Sequence, residues 1–166
     1  EMSIIMERRV CIGHGYLNKD IKDVILDKIR ENTKDECSKE FGYILNINKI
    51  VKIVDNYISN VNCENVFIVL FEAEVLKPEN GKTFSGVVCM IFNGGIFLNI
   101  KNKQKILIPL MSLTKYTFDQ TNKCFKSKTE KDKIIKEGSI LDVVITGTKY
   151  SKKTFSCFGN LIENEN

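Results

Sequence analysis

Two lysine groups are the residues here best suited to chemistry with a ligand. Lys101, Lys103 and Lys105 fall within the run Lys101-Asn102-Lys103-Gln104-Lys105, and Lys149, Lys152 and Lys153 fall within a second short run. Both runs follow apolar stretches of strand length, so each places its lysines at a strand end. An ammonium on a flexible stem binds phosphate as a point charge and carries no sequence information of its own. The charge of the chain is uneven in the same sense. Residues 1–78 carry 11 Lys and Arg against 13 Asp and Glu, net −2, whereas residues 79–166 carry 14 Lys against 8 Asp and Glu, net +6. A basic half beside a near-neutral one is the footprint of a chain that meets nucleic acid, the plain alternative being a solvated lysine surface.

Other reactive residues point away from catalysis. His14 is the one histidine. It stands between Gly13 and Gly15 with no acid or nucleophile motif nearby, and marks a turn. Gly94-Gly95 lacks the following G-x-x-x-x-G-K of a phosphate loop and lies between two apolar runs, which makes it a tight turn. Cys11, Cys37, Cys63, Cys89, Cys124 and Cys157 form no C-x-x-C pair, and a single histidine does not complete a mixed zinc site. Free thiols are expected, with no metal and no cofactor. Phe41-Gly42-Tyr43 sets two aromatics about a glycine, either as an interface anchor or as packing at a strand start.

These residues need elements to hold them. Ser3–Ile12 reads as a strand. Asn18 is a candidate cap for a helix over residues 19–32, with Ile21, Val24, Ile25 and Ile29 on one face. A polar stretch over residues 33–40 ends it. A strand from Gly42 to Ile53 alternates only in part, which predicts a bend or bulge. A turn over residues 60–65 leads to a strand over 66–76, apolar on both faces at first and therefore central. Lys77-Pro78-Glu79-Asn80-Gly81 marks a boundary. Beyond it, residues 83–92, 94–100, 105–108, 140–149 and 154–158 are five strand candidates, the strand count of an OB barrel. Residues 116–133 read as a long polar connection anchored by Phe118 and Phe125. The expected class is α+β: a small N-terminal sheet with one covering helix over residues 1–78, then a five-stranded OB-type barrel over residues 79–166. No apolar run approaches the roughly 20 residues that span a bilayer, and the N-terminus does not read as a signal peptide.

Several segments together resemble the stalk subunit of multi-subunit RNA polymerases, the seventh-subunit family of RNA polymerase II and its archaeal counterpart, with the versions of large DNA viruses nearest. They are Glu36-Cys37, Phe41-Gly42-Tyr43-Ile44 and Phe67–Ala73 running into Lys77-Pro78, then Gly81–Val88, Met90–Phe97 and Leu107-Ile108-Pro109. The resemblance implies a non-catalytic transcription subunit. The first half would be a tip domain docking near the polymerase clamp through Phe41, Gly42 and Tyr43, and the barrel would meet single-stranded nascent RNA. It implies polymerase core subunits and a smaller helical stalk protein as partners, no membrane, and a place in the nucleus for a cellular protein or in host cytoplasm or virion for a viral one. The second half also resembles the RNA-binding repeat of the largest small-subunit ribosomal protein, whose binding face carries two aromatics and a histidine. Phe97 fills one aromatic position, while Gly94 and Pro109 hold the other two. RNA contact is thus expected at Phe97, Lys101, Lys103, Lys105, Lys149, Lys152 and Lys153, dominated by charge. A free-standing OB-fold RNA-binding or translation factor is the alternative.

Overall fold

A computed structural model of the chain describes residues 2–13, 20–61 and 64–162. The chain divides into two compact units, Glu1–Lys77 and Pro78–Asn166.

The first unit holds β1 (Met2–Ile12), α1 (Ile21–Thr33), β2 (Cys37–Ser38), β3 (Gly42–Ile58) and β4 (Asn65–Leu76). The sheet is antiparallel with order β1-β4-β3-β2. β4 is central, as its apolar run requires. Asp20 caps α1, accepting a hydrogen bond from Lys22 N at 3.0 Å. The expected cap at Asn18 lies outside the described residues, as do His14 and Cys63. Val24, Ile25 and Ile29 of α1 join Met6, Val10, Phe67, Val69 and Phe71 in the core. The polar stretch after the helix is not featureless. It contains β2, and its Glu36 takes both guanidinium nitrogens of Arg8 at 2.9 and 2.7 Å.

β3 answers the puzzle of its broken alternation. Ile44, Ile47, Ile50 and Ile53 recur every third residue, and a flat strand would send them to alternate faces. The register against β4 shifts four times, at Ile44/Asn46, Ile47/Lys49, Ile50/Lys52 and Ile53/Asp55. Each shift accommodates one extra residue and turns a two-residue period into three. All four isoleucines therefore reach the core. The expected bulge is present, repeated, and the strand runs on to Ile58.

The second unit is built on β5 (Thr83–Phe92), β6 (Gly95–Ile100), β7 (Gln104–Pro109), β11 (Ile140–Ser151) and β12 (Thr154–Leu161), closed in the order β11-β12-β7-β6-β5. This is the expected five-stranded barrel. Val88, Ile96, Leu98, Ile106, Ile108, Val143 and Ile145 fill it. Between β7 and β11 the chain forms a short 3-10 turn at Leu110–Ser112 and an antiparallel meander of β8 (Tyr116–Asp119), β9 (Cys124–Ser127) and β10 (Ile134–Ile135). Residues 116–133 are thus not a loose connection. Phe125 is fully buried beneath a tilted contact with Phe118, at 5.3 Å between ring centroids, and Tyr116, Cys124 and Ile135 are buried around them.

Candidate nucleic-acid interface

The β6–β7 and β11–β12 hairpins carry the two lysine groups at their tips. Lys101 and Asn102 hold φ of 52° and 59°, and Lys103 N donates to Ile100 O at 3.0 Å. Lys152 and Lys153 hold φ of 51° and 62° between Ser151 and Thr154, which pair directly. Both tips are tight turns of left-handed residues, the geometry that matches the twist of paired strands.

Strand direction brings the two tips together. β12 runs parallel to β7, with Cys157 opposite Ile106 and Phe158 opposite Leu107. Parallel strands start at the same end, so the tip that precedes β7 and the tip that precedes β12 are neighbours at one end of the barrel. Gln104 fastens them. Its buried amide Nε2 donates to Lys105 O at 2.7 Å and to Phe155 O at 2.9 Å, bridging the two hairpins. Its Oε1 has no hydrogen-bond partner among the described residues. Lys101, Lys105, Lys149, Lys152 and Lys153 are exposed and Lys103 is half-buried. The structure therefore gathers all six expected lysines at one rim. Gln104 is the residue that sequence reading missed, and its signal was a lone amide at an inward position of an apolar strand.

Phe97 lies on the outer face of β6, half-buried. The aromatic position that Gly94 vacates is not empty. The ring of Phe92 stacks on Phe97 at 5.7 Å and 19°, and a Cβ on Gly94 would come within 2.6 Å of Phe92 Cε2. A neighbour two residues upstream has taken the space that the glycine leaves. The histidine position is held by Pro109, opposite Gly95 in the ladder, and it offers no ring π-system. The face thus keeps a pair of rings, Phe92 and Phe97.

The other predicted trio starts β3. Phe41 is half-buried against the core of the first unit, and its N–H donates to Ser38 Oγ at 3.1 Å. Gly42 is buried with φ +76°, and a Cβ there would overlap the Leu76 carbonyl and approach Lys77 Cα within 2.6 Å. Tyr43 stands opposite Cys37 and Leu76. Burial pushes the Cys37 thiol up from its ordinary pKa, against a smaller lowering by its hydrogen bond to Tyr43. Among the described residues no disulfide joins Cys11, Cys37, Cys89, Cys124 or Cys157. Among the described residues no helix is long and apolar enough to cross a membrane.

Comparison with known proteins agrees with the barrel. Residues 77–157 match the family model of the S1 RNA binding domain. The DNA-directed RNA polymerase II subunit RPB7 of Glycine max is 23% identical over 94 residues, 57% of this chain and 53% of the relative. DNA-directed RNA polymerase II subunit 7 of Arabidopsis thaliana is 22% identical over the same shares. The chain spans about half the length of these curated relatives. Among solved structures, Mycoplasma genitalium RNase R aligns in its apo form and in complex with ribose methylated single-stranded RNA. Both are 26% identical over 50% of this chain and 13% of that one, at TM-scores of 0.41 and 0.42.

Proposed function

We propose that this chain is a non-catalytic stalk subunit of a DNA-directed RNA polymerase, with its first unit docked on the polymerase core near the clamp and its barrel meeting nascent single-stranded RNA. The observation that carries the RNA half is the convergence of two lysine-tipped hairpins at one rim of a barrel with an S1-type sequence, beside the Phe92–Phe97 ring pair. The polymerase half is supported by the likeness to the two plant polymerase II subunits. Core subunits and a smaller helical stalk protein are its partners in this reading. Its location follows the assembly: nucleus for a cellular polymerase, host cytoplasm or virion for a viral one.

Charge dominates the RNA contact. Two stacked phenylalanines present one outer ring surface, and stacking contributes roughly 1–3 kcal/mol per base. The lysine rim adds a term that falls with salt by about 0.7 log units per tenfold change for each phosphate neutralised on a single strand. Binding is therefore salt-sensitive and tolerant of sequence.

The test of the assembly is purification of the tagged chain from its source cells, where polymerase core subunits are expected to accompany it. A chain recovered only as a free monomer would favour a free-standing OB-fold RNA-binding factor. Phe41→Ala with Tyr43→Ala is expected to weaken that association more than it lowers the melting temperature. Phe41 already packs against the core, so a collapse of folding before any change in association would make these residues core packing and remove them from the docking surface.

A further inference from the structure

We infer that Phe158 is a second base-stacking position, so that RNA crosses the barrel over β6, β7 and β12; the inference rests on the RNA-binding reading above and names a residue beyond it. Phe158 lies just past residues 77–157, the segment that matches the S1 family.

The ladder fixes its place. Phe97 stands opposite Leu107 across β6 and β7, and Leu107 stands opposite Phe158 across β7 and β12. Directly opposed residues point to the same side of a sheet. Phe97, Leu107 and Phe158 therefore form one row on the outer face. On β5, Met90 extends the row beside Phe97. At the far end Gly147 stands opposite Phe158, and a Cβ at 147 would meet the Phe158 ring at 3.7 Å. The ring lies over a strand that offers no side chain there. Phe158 is 48% exposed and Met90 53%, large values for apolar side chains on a closed barrel.

Charge selects the occupant. Lys105 is two residues from Leu107 on the same outer face and is exposed. Lys149 stands opposite Ser156, two residues from Phe158. Two residues along a strand are about 7 Å. Both ammoniums thus lie within side-chain reach of the row, on its side toward the hairpin tips, and beyond them lies the rim of Lys152 and Lys153. An apolar row bordered by cations fits a polyanion with flat apolar faces, which is a single nucleic-acid strand.

Spacing defines how the strand sits. Two strand intervals of about 4.8 Å separate the stems of Phe97 and Phe158 by roughly 10 Å. Stacked bases follow one another at about 3.4 Å along a strand, so the two rings cannot hold stacked neighbours. They take two splayed bases, with Leu107 packing beneath the sugar or base between them.

The experiment is anisotropy titration of the full chain with a labelled 12-nucleotide oligouridylate at low salt. Phe158→Ala is expected to weaken binding about fivefold or more, the low end of the range for one lost stacking contact. Phe158→Tyr is expected to restore it, because the hydroxyl leaves the ring face intact. Oligonucleotides with one abasic position supply the second readout: the position that Phe158 serves should lose its sensitivity to Phe158→Ala, and it should differ from the position served by Phe97. Wild-type affinity for Phe158→Ala, with Lys152→Gln/Lys153→Gln clearly weakened, would overturn this inference and leave the RNA-binding reading standing. No binding by the wild-type chain even at low salt would remove both.

Discussion

Gly42 in the first unit and Lys152–Lys153 in the second all hold a positive φ, +76° at the glycine and +51° and +62° at the lysines. At Gly42 the reason is space. The residue is buried, and its missing Cβ leaves room for the Leu76 carbonyl. At the lysines space explains nothing, since both are exposed at a hairpin tip. Asn-Gly or Asp-Gly is the usual solution for such a turn, because a left-handed residue with a Cβ costs roughly 1–2 kcal/mol. The β6–β7 tip sits between the extremes, with Lys101 followed by an asparagine that tolerates the conformation. One backbone state thus answers to packing in the first unit, whereas in the second it holds lysines against their own preference. Strain of this kind is characteristic of binding sites.

The largest effect should come from filling Gly42. Gly42→Ala adds the left-handed penalty to a collision with backbone that cannot move aside, about 3 kcal/mol or more together. Gly81→Ala is the control: φ is +88° there but a Cβ would meet nothing within 4 Å, so only about 1 kcal/mol is expected. Amide hydrogen exchange resolves the two units separately. Protection should fall across β3 and β4 for Gly42→Ala while the barrel is unchanged. Equal losses for the two glycines would remove the packing explanation.

Next in size is the lysine tip, where stability and binding should move in opposite directions. Lys152→Asn with Lys153→Gly relieves the turn and should raise protection of β11 and β12 by about 1–2 kcal/mol. The same change removes two cations, so the slope of log affinity against log salt should flatten by about 1.4. Replacing Lys103, Lys105, Lys152 and Lys153 by glutamine should flatten it by up to about 2.8 and lower affinity more than Phe97→Ala does. A more stable tip with unaltered RNA affinity would mean that the lysines are a solvated surface.

Much of this was legible in the residue order, and the failures have physical causes. The five barrel strands could be read because alternating burial leaves a two-residue period, as in Gln104, Ile106 and Ile108. Ile44, Ile47, Ile50 and Ile53 could be suspected of a bulge, but four bulges in one strand follow only from the partner strand they must match. In sequence the meander resembles a loop because its strands have four residues or fewer amid Lys and Thr, and Phe125 alone does not announce a sheet. The lysines were found by type, whereas their convergence depends on a parallel β7–β12 pair joining segments some fifty residues apart. Phe92 is not evident in sequence because the expected aromatic position falls at Gly94, and only the fold brings a ring from position 92 into the space that the glycine leaves.

A fourth left-handed lysine, Lys123 with φ 48°, sharpens the comparison at its weakest end. Here the turn is held by hydrogen bonds. Asp119 Oδ1 accepts from Thr121 N at 3.0 Å and Asn122 N at 3.3 Å, Oδ2 accepts from Asn122 Nδ2 at 2.9 Å, and Lys126 Nζ lies 3.0 Å from Oδ2. The hydrogen bonds from Lys126 and then Asn122 hold the Asp119 carboxyl at about 2, below its ordinary value. A carboxylate with a depressed folded pKa contributes stability that is fully present above the unfolded pKa of about 3.9 and lost as pH falls through about 2. The group is on the surface, so the contribution is small and screened by salt. Acidification from pH 4 to pH 1 should therefore shift the backbone amide resonances of Thr121, Asn122 and Lys123 together, with a midpoint near 2. Asp119→Asn should abolish that shared transition, and the amides of Lys152 and Lys153 should show none of it, since no carboxylate is bonded to that turn among the described contacts. The same transition persisting in Asp119→Asn would mean that another group holds the meander turn, and that left-handed lysines here need no local partner.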